Sequence, residues 1–214
     1  MWRKAIRWSI ARSNPFEGIR AGHQANESRK RFIPREVINA LIENAPSAEW
    51  RAIIALSRYG GLRCPSEHYA LKWGDIDWDR GTIRVPCPKL EYLDGHGYRL
   101  VPLFPELREH LLALFTETPE GTEHVISKCR GGSLNLRTQL ERIIARTGLT
   151  PWPKLFHNLR ASRETELMRE YDLATACKWI GNSPAVAAKH YAMSANIDDD
   201  FRRAVLRRLG VGGG

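Results

Sequence analysis

Tyr191 stands in "GNSPAVAAKHYAM", where its ring either packs near the end of a helix or presents its hydroxyl for chemistry. A tyrosine hydroxyl has a pKa of ~10 and needs a base or a cationic setting to attack at neutral pH. The question therefore turns on what the rest of the chain supplies. In "YGGLRCPSEHYALKW", Arg63 follows a double glycine at a turn between helices, and Glu67 comes four residues later. Arg63 is either an ordinary surface residue or an anion clamp, since a guanidinium bonds two phosphate oxygens at once and Glu67 would fix its rotamer. In "LFHNLRASRETEL", His157 and Arg160 are three residues apart and share a helical face. That places a proton-transfer group beside a second clamp, although His-x-x-Arg pairs arise often by chance. Lys89 lies in the loop "CPKLEYLDGHG", where it is either solvated or able to reach into a site and donate a proton.

These residues must be positioned by a mostly helical chain. Trp2, Ile6 and Ile10 recur at spacing four and predict an amphipathic helix over residues 1–13, broken by Pro15 and Gly18. Residues 20–32 are polar and basic and read as a linker, so the main domain begins near Ile33. Pro34 opens "REVINALIENA", with Val37, Ile38, Leu41 and Ile42 on one face. Ser47 caps "AEWRAIIALSRY", which the glycines at 60 and 61 end. A short helix in "PSEHYAL" follows. "DIDWDRGTIRVP" and "YRLVPL" predict a three-stranded antiparallel sheet whose last two strands are joined by the loop over 87–97. Pro105 starts a helix with Leu107, Leu111, Leu112 and Phe115, and "SLNLRTQLERIIARTG" has Ser133 as cap and Gly148 as stop. Four more helices are predicted in "FHNLRASRETELMREY", "LATACKWIG", "PAVAAKHYA" and "IDDDFRRAVLRRLG". The last packs on its own domain or on a neighbour. The expected fold class is α+β, mainly α-helical, with a small sheet inserted early.

Composition narrows the partners. The chain carries 33 Lys+Arg against 24 Asp+Glu, a net charge of +9, which fits a polyanion such as nucleic acid or merely a basic soluble protein. The 43% hydrophobic content supports one good-sized core. No membrane span or secretory signal is visible, which makes the cytoplasm the expected location. Cys64, Cys87, Cys129 and Cys177 form no Cys-x-x-Cys pair, and no two histidines are spaced four apart, so the spacing predicts no metal site.

Taken in order, these boxes resemble the catalytic domain of the tyrosine recombinases, the phage integrase family. "GGLRCPSEHYALKWGDIDWD" is similar to the family's first arginine box, and a β-hairpin lysine and "YRLVPL" follow it. "HNLRASRETEL" resembles the His-x-x-Arg box, and "CKWIGNSPAVAAKHYAM" the last box. There the nucleophilic tyrosine comes nine residues after a histidine, the spacing between Asn182 and Tyr191. The resemblance implies that Arg63 and Arg160 hold the scissile phosphate and that His157 takes or returns the tyrosine proton. It further implies that Lys89 protonates the departing 5′ oxygen, that Glu67 supports the cluster, and that Tyr191 attacks phosphorus to leave a 3′-phosphotyrosyl link. It implies double-stranded DNA as partner, a tetramer on DNA, and neither metal nor ATP.

Two departures stand out. Asn182 replaces a histidine or tryptophan that donates to a phosphate oxygen. An asparagine amide also donates but is shorter and cannot be charged, which bears on rate rather than reaction type. Residues 1–33 match only the last helix and linker of the family's core-binding domain, with residues 34–214 as the catalytic domain, so a truncated recombinase is expected. Two rival functions share the sequence features: a type IB topoisomerase-like nicking and closing enzyme, and a recombinase fragment that only binds DNA.

Overall fold

A computed structural model describes residues 2–18, 29, 31–87, 97–130, 135–184 and 187. Helix α1 covers Trp2–Arg7, shorter than the periodicity predicts. Ser9 takes a left-handed φ of 56° and turns the chain away before the apolar repeat is complete. Helix α2, Arg35–Glu43, follows Pro34 and buries Ile38, Leu41 and Ile42. Helix α3, Ala48–Arg58, begins where the Ser47 side chain accepts from the Trp50 backbone N–H at 3.3 Å, the expected cap. Helix α4, Ser66–Ala70, leads through a short 3-10 turn at Trp73–Asp75 into the sheet.

The sheet has the predicted order. Strand β1, Ile76–Asp77, pairs antiparallel with β2, Thr82–Pro86, which pairs antiparallel with β3, Tyr98–Pro102. Side chains alternate between faces, so Ile83 and Val85 of β2 point inward opposite Val101 and Arg99 of β3. Helix α5, Pro105–Glu117, buries Leu107, Leu111 and Leu114. Leu112 and Phe115 of the same helix lie off that buried stripe and are exposed. The Phe115 ring packs edge-on to Trp73 with centroids 5.0 Å apart.

Helix α6 covers Leu136–Arg146. Its cap is Asn135 rather than Ser133, since the Asn135 side chain accepts from the backbone N–H groups of Arg137 and Thr138. Helix α7, Leu155–Glu170, and helix α8, Leu173–Ile180, complete the described elements. The predicted segments "PAVAAKHYA" (apart from isolated positions) and "IDDDFRRAVLRRLG", the loop over 88–96, and most of the linker lie outside the described residues.

Helix α3 is the centre of the core. Ala52, Ile53, Ile54, Ala55 and Leu56 are all fully buried, and the helix packs against α2, α5 and α7. Its buried polar residues are all bonded: Glu49 accepts from the Ser127 and Lys128 N–H groups, the Ser57 hydroxyl donates to Ile53 O, and Arg58 donates to Glu166. Among the described residues, no helix is long and apolar enough to cross a membrane.

Candidate active site

The C-terminus of α8 organises the site. The last carbonyls of a helix have no partner within it and carry partial negative charge. Three arginines, from β3, from α7 and from the turn before α4, take them. Arg99 Nε donates to Trp179 O at 2.8 Å, Arg160 Nη2 to Ile180 O at 2.7 Å, and Arg63 Nη2 to Gly181 O at 2.7 Å. Arg160 Nη1 also donates to the carbonyl of Gly61.

Two glycines make this convergence fit. Gly181 ends α8 at φ +76°, and a Cβ there would sit 2.9 Å from Arg99 Cδ. Gly61 has φ +62°, and a Cβ there would sit 2.6 Å from Ile180 Cδ1. Both positions need a residue without a side chain, for conformation and for space.

Glu67 ties the arginines together from the other side. Its carboxylate accepts two parallel bonds from Arg99 at 2.7 and 2.8 Å, one from Arg63 Nη1 at 2.7 Å and one from the Arg63 backbone N–H at 2.7 Å. Arg160 Nη1 stands 4.0 Å away. Burial by itself would push the Glu67 carboxyl up, but the bonds and charge of Arg99, the Arg63 N–H and the charge of Arg160 more than cancel that and hold it at about 2. Arg160 is pulled down to about 9, first by burial and then by Arg63 and Arg99, with Glu67 and Glu164 opposing. It stays cationic at neutral pH. The fully buried His68 supports the same turn, its Nδ1 lying 3.3 Å from Arg63 O and its Nε2 2.9 Å from Ser57 Oγ. Burial drives its pKa down and favours the neutral ring.

Arg63, His157, Arg160, Glu164 and Asn182 line one open cleft of about 530 Å³. His157 is exposed, while Arg160 below it on α7 is 7% exposed. Three guanidiniums face two carboxylates, Glu67 and Glu164, so the cluster has an excess of positive charge at an accessible mouth. Such an arrangement of preorganised donors can hold an oxyanion. Among the described residues, no group of three or more His, Cys, Asp or Glu side chains could hold a metal ion.

Of the predicted residues, the fold brings together Arg63, Glu67, His157, Arg160 and Asn182. Lys89 and Tyr191 lie outside the described residues. Two participants went unpredicted. Arg99 has a signal in "YRLVPL", where strand alternation puts it on the same face as Val101 and Leu103, a position for a hydrophobe. Glu164 lies one helical turn beyond Arg160, on the same face of α7.

The sequence profile of the phage integrase family matches residues 31–196. The chain belongs to the phage integrase family. No curated protein matches it. Solved structures share its fold. The Tn1549 transposon integrase in complex with transposon right end DNA is 18% identical at a TM-score of 0.68, over 98% of this chain and 75% of that one. A lambda integrase dimer bound to a COC′ core site is 20% identical at a TM-score of 0.67, over 91% of this chain and 70% of that one. XerA recombinase is 19% identical at a TM-score of 0.64, over 88% of this chain, which spans 66% of the XerA chain.

Proposed function

We propose that this phage integrase family member cuts and rejoins double-stranded DNA at specific sites through a 3′-phosphotyrosyl intermediate. The convergence of Arg63 and Arg160 on one cleft beside His157 supports this reading most strongly. Asn182 lies on the same cleft, and the chain runs from it to Tyr191 in nine residues.

In this mechanism the Tyr191 oxygen attacks phosphorus as His157 takes its proton. The bond from phosphorus to the 5′ oxygen breaks, and Lys89 protonates the departing oxygen. Negative charge grows on the non-bridging oxygens in the pentacovalent state, where Arg63 and Arg160 stabilise it more than in the ground state. Rejoining runs these steps backwards with a new 5′-OH, and the tyrosyl ester conserves the energy of the original bond. Residues 1–33 contribute a helix of a core-binding domain and a linker. Strand exchange calls for several copies on DNA, as in the lambda integrase tetramer bound to a Holliday junction.

A duplex nicked beside the cleavage site traps the intermediate. Wild type should form a covalent adduct and Tyr191→Phe none, with DNA affinity nearly unchanged because only a hydroxyl is lost. Equal adduct from both would remove Tyr191 from the role, and none from either would leave a DNA-binding protein. Lys89→Ala should slow cleavage, and a 5′-thio leaving group should recover it. A loss that the thio substrate does not recover would assign Lys89 to phosphate binding or structure.

A further inference from the structure

Asn182 joins the two clamp arginines. Its Oδ1 accepts from Arg63 Nη2 at 3.2 Å and from Arg160 Nη2 at 3.1 Å, and its Nδ2 donates to Glu164 Oε1 at 2.7 Å. The network fixes the amide's orientation, because guanidiniums only donate and a carboxylate only accepts. The oxygen side of Asn182 therefore faces the arginines. A group meant to donate to a phosphate between them would face the other way. Glu164 is 4% exposed and lies on the wall of the same cleft.

We infer that Glu164 and Asn182 are positioning residues acting as one unit, in which Glu164 orients the Asn182 amide so that its oxygen holds Arg63 and Arg160 at a fixed spacing. This rests on the reading of those arginines as a phosphate clamp. Two guanidiniums repel in a partly buried site, and an acceptor shared between them opposes that repulsion while fixing their tilt. An amide rotated by half a turn would aim its N–H groups at both cations. Glu164 prevents that, since rotation would also set the amide oxygen against the carboxylate. Glu164 further supplies negative charge near Arg160 from the wall of the cleft.

A charge-conserving exchange tests the unit. Asn182→Asp sets two carboxylates against each other and should slow adduct formation on the nicked duplex by roughly 10- to 100-fold, the range for losing a hydrogen bond to a charged group. Glu164→Gln added to Asn182→Asp restores a donor facing an acceptor, the oxygen toward the arginines and the original net charge. The double variant should recover most of the lost rate. Equal thermal midpoints for Asn182→Asp and the double variant, beside unequal rates, show that the recovery is not one of folding. A double variant no faster than Asn182→Asp alone overturns the proposal, as does an unchanged rate in Glu164→Ala.

The side-chain nitrogen resonances of Arg63 and Arg160 in the DNA-free protein give a second readout. They should shift and broaden in both Glu164→Ala and Asn182→Ala. Resonances that stay in place overturn the unit. If wild type forms no adduct, the cleavage reading fails and these resonances alone decide the proposal.

Discussion

Glu67 carries more of the site than its modest place in the sequence suggests. Its folded value of about 2 lies below the ordinary 4.5, so ionisation favours the folded state. That stabilisation is complete above the ordinary value and is lost as pH falls toward the folded one. It amounts to roughly 3 kcal/mol. Glu67→Gln should therefore be less stable than wild type at neutral pH, and the gap should close between pH 4.5 and 2 in urea denaturation series. A gap independent of pH would show that the loss is one of packing. Arg99→Met keeps most of the side-chain volume but leaves the buried carboxylate without two of its bonds. It should cost about 3–5 kcal/mol, the range for breaking one side of a buried ion pair. It should also slow adduct formation, because Glu67 would no longer hold Arg63 in one place.

At the scale of elements, the end of α8 is the joint on which the arginines are hung. Gly181 at the end of α8 and Gly148 just beyond α6 make a matched pair. Both have left-handed φ, 76° and 77°, but a Cβ at Gly148 meets nothing within 4 Å, whereas one at Gly181 runs into Arg99. Gly148→Ala should cost only the backbone term, about 1–2 kcal/mol, with adduct formation preserved. Gly181→Ala should cost more and should slow the reaction as well, since Arg99 must move. Equal stability and activity in the two variants would mean that Arg99 yields freely. Helix α7 serves two structures at once. His157, Arg160 and Glu164 face the cleft. Ser162 Oγ accepts from the Ile33 N–H at 2.8 Å, and Glu166 takes both Nη groups of the fully buried Arg58. Arg58 in turn donates to Ile33 O, so the chain entering the domain is tied to the helix that carries the clamp.

The whole molecule adds a field to the site. A net charge of +9 and a cleft short of negative charge both favour polyanions. DNA affinity should fall steeply with salt, with a log–log slope of roughly −0.9 for each phosphate neutralised. A flat titration between two salt concentrations would point to contacts other than phosphate. The cleft itself should respond to small oxyanions. Sulfate stabilises most proteins by exclusion from their surface, so the informative quantity is the difference from a variant. At matched ionic strength, the rise in Tm on replacing chloride with sulfate should be larger for wild type than for Arg160→Ala. Equal rises would argue against an anion site at the clamp.

Local patterns determined much of this. The Ser47 cap, the strand alternation of "TIRVP" and the Pro105 start act within a few residues, so helix and strand positions could be read directly. The order of the boxes, with Asn182 nine residues before Tyr191, carried the family and the candidate residues for the same reason: each box is a continuous phrase. Tertiary structure decided which partners those residues meet. Arg99 and Glu67 are 32 residues apart, and Arg63 and Asn182 are 119 apart. Nothing in local periodicity encodes such distances. The orientation of the Asn182 amide was decided the same way. Its sequence position suggests a donor to phosphate, but an amide can face either way, and only the packing of Glu164 on one side and two arginines on the other selects the orientation.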